Sequence, residues 1–130
     1  MNERSRSITI TAEGDVLEVR HTGPFELDYL RQVLARIDAM RAIHPRMFLL
    51  MASGESTTIE ARKYAIEWLR TSEPLDVAVW GGGVVQRTVA ELFTRGVNLI
   101  RPGQIHVSFH ATRELALAWI DQRRASSAST

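Results

Sequence analysis

Residues 46–70, RMFLLMASGESTTIEARKYAIEWLR, constrain the fold more than any other part of this chain. An unbroken apolar run stops at Ser53-Gly54 and restarts as an amphipathic segment with polar residues at its head. A run apolar on both sides is the mark of a strand covered on both faces, and a strand followed by a helix is the unit of parallel sheets. The loop between them lies at the carboxyl end of a central strand, where open α/β sheets place their sites.

The rest of the chain fits around that unit. Residues 7–12 alternate, with Ile8, Ile10 and Ala12 on one side and Thr9 and Thr11 on the other. Residues 15–21 alternate again, and Glu13-Gly14 between them is a turn signal, so the two strands form a hairpin with one wet face. After Gly23-Pro24, the residues Leu27, Leu30, Val33, Leu34, Ile37 and Met40 recur at three- and four-residue steps as the buried stripe of a first helix. Residues 47–51 form the third strand. Thr57-Thr58-Ile59-Glu60 reads as a capping box, with Thr57 as cap, opening a second helix packed through Ala61, Ala65, Trp68 and Leu69. Residues 75–80, LDVAVW, form the fourth strand. Gly81-Gly82-Gly83 leads into a further helix carrying Val85, Val89, Leu92 and Phe93 on one stripe, closed by Pro102-Gly103. Ile105, Val107 and Phe109 alternate with His106, Ser108 and His110 in a half-exposed edge strand. Thr112 caps a last helix with Leu115, Ala118 and Trp119 inward.

The order ββαβαβαβα, with right-handed crossovers, predicts an α/β domain on a mixed, mostly parallel five-stranded sheet with strands three and four in its middle. The domain spans residues 7–122. The polar segments 1–6 and 123–130 read as disordered tails. The predicted core comprises Ile10, Leu17, Val19, Leu30, Leu34, Ile37, Phe48, Leu50, Val77, Val79, Val89, Phe93, Val107 and Leu115.

This pattern resembles the STAS domain, the fold of the anti-sigma-factor antagonists, and the related CRAL-TRIO-like lipid-binding fold. The resemblance covers residues 7–122. It rests on the strand order, on the strand–Ser-Gly–helix unit at residues 48–59, and on the segments ARKYAIEWLR and LALAWI. In those antagonists the loop reads Asp-Ser-Ser-Gly, and its second serine is phosphorylated by a partner kinase. The matching residues here are Met51-Ala52-Ser53-Gly54, so serine and glycine match while the aspartate and the first serine do not. The resemblance implies a regulatory module that binds a protein partner and is switched at Ser53 and Gly54. The lipid-binding relatives imply a second reading, a small apolar ligand held between sheet and helices.

Function is less legible than fold. Sixteen basic and fifteen acidic residues leave a formal net charge of +1, so no overall field draws nucleic acid or an anionic membrane. Without cysteine there is no disulfide, thiolate metal site or cysteine nucleophile. The amino terminus lacks the apolar core of a signal peptide and no segment is long enough to span a bilayer, so the expected location is cytoplasmic. Gly81, Gly82 and Gly83, with Arg87 one turn on, form a candidate anion cradle, because N–H groups at a helix start point outward. No GxGxxG or P-loop completes it, and close helix–strand packing accounts for the glycines equally well. His106 and His110 lie about 13 Å apart along a strand, too far to share a metal, and read as a wet edge. No G-x-S-x-G elbow surrounds Ser53, so the expectation is a non-enzymatic protein without metal or cofactor. Apolar surface on the first helix or the one after Gly83 suggests self-association as a homodimer.

Overall fold

The computed structural model describes residues 7–53, 57–82, 91, 95, 98, 103 and 105–128. Five strands form one sheet in the order β1-β2-β3-β4-β5: Ser7–Glu13, Val16–Thr22, Phe48–Ala52, Leu75–Trp80 and Ile105–His110. β1 and β2 are antiparallel and the remaining neighbours are parallel. The hairpin register pairs Glu13 with Val16 across a two-residue turn. Gly14 takes φ +60° there and Asp15 stays outside the left-handed region, the II′ arrangement that suits the strands' twist.

Three helices are described from end to end: α1 (Leu27–Arg41), α2 (Ile59–Thr71) and α3 (Arg113–Ala128). In a sheet, alternate residues face opposite sides, so Leu17, Val19, Leu49 and Val77 share one face. They pack there with Leu30, Val33, Leu34 and Ile37 of α1 and Ala61 and Leu69 of α2. Phe48, Leu50 and Ala78 face the other way, onto Ala116 and Ile120 of α3. β3, apolar on both faces, is the central strand, as its composition requires.

Charges fasten α3 to the sheet. Arg113 grips Glu18 through two hydrogen bonds of 2.8 Å, Arg123 reaches Asp76 at 2.8 Å, and Arg124 grips Asp15 at 2.6 and 2.9 Å. Asp76, the polar residue inside the apolar β4, is buried and is also held by Arg46. The last two tethers explain why the helix continues to Ala128, beyond the residue 122 at which composition ended the domain.

Other expectations shift by a residue or a turn. The α2 cap is Thr58, not Thr57: its hydroxyl accepts from the Ala61 N–H at 3.2 Å. Thr57 is instead drawn into a bridge with Phe25, and the Thr58 N–H donates to the Phe25 carbonyl. Thr112 does cap α3, accepting from Leu115 N–H. Leu115 itself is exposed rather than core, because the buried stripe runs through Ala116 and Ile120, with Leu117 and Trp119 beside it. Ile10, Val79 and Val107 are half-buried against the α1–α2 side of the core. Glu91, Arg95 and Asn98 are helical, as expected after the glycines, whereas Val89 and Phe93 lie outside the described residues.

Candidate functional site

The carboxyl ends of the parallel strands meet on one rim of the sheet. Past the end of β3, the Ser53 N–H donates to the Trp80 carbonyl at 2.8 Å. Past the end of β4, the Gly81 N–H donates to the His110 carbonyl at 3.0 Å. Each strand thus stays paired one residue beyond its last ladder position. Beyond the end of β2, an isolated parallel bridge joins Phe25 to Thr57 in the loop after β3, so the crossover loops run close together.

Ser53 is half-buried and seated against Gly82. A Cβ built on Gly82 would overlap both Oγ and Cβ of the serine, and Gly82 also takes φ +79°, a conformation that favours glycine. The expected neighbourhood of Ser53 and the Gly81-Gly82 turn is therefore present as direct contact. Full exposure of the serine is not: Gly82 covers one side of it. Gly54, Gly83 and Arg87 lie outside the described residues. The expected anion cradle loses one donor in any case, since the Gly81 N–H is committed to His110.

A second arrangement lies on the α3 side of the same rim. Ala52 pairs with Trp80, Trp80 with His110, and Thr9 with Arg20, while Val19 pairs with Met51 one position earlier. Thr9, Arg20, Ala52, Trp80 and His110 thus form one row across the sheet. The small Ala52 leaves the space over which the Arg20 guanidinium reaches the Trp80 ring, 5.5 Å from its centroid. Arg20 also bonds Glu18 at 3.2 Å, sharing that carboxylate with Arg113. These guanidiniums, Arg113 foremost through its hydrogen bonds, hold Glu18 below the usual carboxylate range. The Trp80 Nε1–H is buried with no acceptor among the described residues.

His110 is not part of a wet edge. Its ring lies 6.1 Å from the Trp119 ring of α3, tilted at 49°, and its Nε2 is buried. His106 is exposed, as expected. His21 Nδ1 lies 3.0 Å from the Gly23 carbonyl and its ring meets Phe25 edge-on at 5.0 Å, which fits a strand-end structural role. Among the described residues no three His, Asp or Glu side chains gather as a metal-binding group. Sequence reasoning missed the Arg20–Ala52–Trp80 row. The alternation of residues 15–21 gives that strand one wet face, but the register that brings Trp80 alongside Arg20 is a property of three strands together.

No protein family's sequence profile matches this chain, and no curated protein does either. A solved structure does. It is that of an uncharacterized protein of the DUF3478 family, with a SpoIIAA-like fold, from Shewanella loihica PV-4. The two superpose with a TM-score of 0.57 over 87% of this chain and 91% of the other, at 20% sequence identity. The class is thereby defined at the level of architecture: this chain has a STAS-like, SpoIIAA-like α/β fold. No helix among the described residues is long and apolar enough to cross a membrane. The alternative of a small apolar ligand turns on the segment after Gly82, most of which lies outside the described residues.

Proposed function

We propose that this protein is a non-enzymatic regulatory module that binds a protein partner through the carboxyl-end rim of its sheet, with Ser53 as the switch. The observation that carries this reading is the seat of the Ser53 side chain against Gly82. That seat joins the loops after β3 and β4, so a change in the serine's size or charge has to be taken up by both. A phosphate adds about −1.5 to −2 charges and considerable bulk. The gap left by one missing Cβ does not hold it, and the 81–82 turn or the serine has to move. The rim's shape then differs between the two states while the core, built from other residues, stays the same. Arg20, exposed and lying over the half-buried Trp80 ring, gives the rim a charged group on an aromatic surface, the residue types enriched at interfaces.

The test compares proteins captured from the source cell's extract by wild type, Ser53→Asp and Ile43→Ser. Ile43 is 76% exposed at the end of α1, beside the opposite, amino-terminal ends of the strands. The expectation is a defined partner held by wild type and Ile43→Ser and lost from Ser53→Asp, with Ile43→Ser melting within about 2 °C of wild type and Ser53→Asp keeping a single cooperative transition. A partner set identical across the three reduces Ser53 to a turn residue and removes the switch.

A further inference from the structure

We infer that the open edge of β1 is a pairing surface for a second copy of this chain, joined antiparallel about a two-fold axis through Ile10. Among the described residues β1 pairs on one side alone. In the hairpin register Glu13 and Val16 flank a two-residue turn, so Ser7, Thr9, Thr11 and Glu13 direct their main-chain groups toward β2. The N–H and C=O groups of Ile8, Ile10 and Ala12 then point outward along the free edge.

Natural sheets blunt such edges with charge, proline, bulges or cover. Among the described residues β1 has none of these along its length. Its register with β2 is continuous from Ser7–Thr22 to Glu13–Val16 without a bulge, it contains no proline or lysine, and its sole ionisable side chain is Glu13, at one end. The opposite edge differs. There the Asn98 side chain donates to the Ile105 carbonyl at 3.0 Å and accepts from the Ile105 N–H at 3.1 Å, closing the start of β5. Among the described residues one edge is stoppered and the other is left open.

The sequence SITITAE is self-complementary in the way a two-fold requires. Rotation about Ile10 pairs Ile10 with Ile10, Ile8 with Ala12, Thr9 with Thr11 and Ser7 with Glu13. The outward main-chain groups then meet in narrow pairs, giving about six hydrogen bonds between the two strands. Ile8, Ile10 and Ala12 continue the α1–α2 face of the sheet from one copy into the next, while Thr9 and Thr11 meet on the other face as a favourable cross-strand pair. Glu13 faces Ser7 and not another Glu13; the two carboxylates stand about 20 Å apart at opposite ends of the paired strands. No like charges are brought together. A second copy therefore fits this edge without any change to it, whereas a foreign strand would need a matching pattern of its own. The inference stands apart from the Ser53 reading.

Sedimentation velocity on the full chain tests it. Wild type is expected to shift from 14.6 kDa toward twice that mass as concentration rises. Ala12→Pro removes an outward N–H and leaves the β1–β2 ladder intact, so it is expected to stay monomeric with an unchanged circular dichroism spectrum. A second measurement does not depend on that variant folding. The chain has no cysteine, so Thr9→Cys mixed with Thr11→Cys reports on the register alone. On mild oxidation the mixture is expected to yield several-fold more cross-linked dimer than either variant by itself. A wild type that remains at 14.6 kDa at all concentrations, or a dimer untouched by Ala12→Pro with no preferred cross-link in the mixture, overturns the inference.

Discussion

At Gly82 two demands coincide: the backbone sits at φ +79°, and the space a side chain would fill belongs to Ser53. Gly82→Ala is therefore expected to cost about 1–3 kcal/mol, with the overlap adding to the left-handed backbone penalty. Ser53→Gly in the same chain removes the overlap and is expected to restore part of the loss. Urea unfolding of both variants checks this, and a Gly82→Ala protein as stable as wild type would count against the contact. Asp76 makes a similar case in the core. Its carboxylate is buried between Arg46 and Arg123, and Asp76→Ala leaves two guanidiniums facing an empty pocket. Both keep about a third of their surface in water, so the expected loss is about 2 kcal/mol, below the range for a fully buried pair. Asp76 was visible in the sequence as the polar residue of an apolar strand. Its partners, 30 and 47 residues away, were not, because nothing local to any of the three marks them as neighbours.

Among the elements, α3 shows how a correct helix can be given the wrong face. Leu115, Ala118 and Trp119 make one plausible stripe, but the packed one is Ala116, Trp119, Ile120 and Arg123, rotated by about a turn's fraction. The clamp of Arg123 and Arg124 on Asp76 and Asp15 sets that phase. Ile120→Ala, at a side chain 1% exposed, is expected to cost about 2–4 kcal/mol, whereas Leu115→Gln, at 53%, stays within about 0.5 kcal/mol. Thermal melts of the pair discriminate the two phases directly. The same clamps carry a pH dependence. Hydrogen bonds from Arg124 to Asp15 and from Arg113 to Glu18 hold both carboxyls below their ordinary values of 3.8 and 4.5. A lowered folded-state value means stability that is complete above the ordinary value and is lost as pH falls through the folded one. Stability should thus begin to fall near pH 4.5 and continue downward below 3.8, and Glu18→Gln should flatten the upper part of that fall. Urea midpoints measured from pH 7 to pH 3 check the slope.

For the molecule as a whole, the two faces of the sheet are covered unequally among the described residues. α1 and α2 share one face, and α3 covers Phe48, Leu50 and Ala78 on the other. Deleting residues 113–130 is expected to expose that second layer, to remove Arg124 from Asp15, and to leave Glu18 with Arg20 and Asp76 with Arg46 as their remaining partners. The truncated chain should lose its cooperative melt and bind a hydrophobic dye, the behaviour of a loosely packed state. A sharp transition retained by the truncated chain would show that the α1–α2 layer folds alone.

The sequence by itself determined the order of the elements, the central place of β3 and β4 and the STAS-like architecture. Each depends on apolar periodicity and on the right-handed hand of the crossovers, which are encoded locally. It also placed Ser53 ahead of α2. The tertiary structure alone decided that Ser53 rests on Gly82, that Arg20 reaches Trp80 over Ala52, that Thr58 and not Thr57 caps α2, and that α3 turns Leu115 to water. These depend on how separate strands align and on which long side chains meet across them. A shift of one residue in register or of one position in helix phase changes every such contact while leaving the periodicity of each segment as it was.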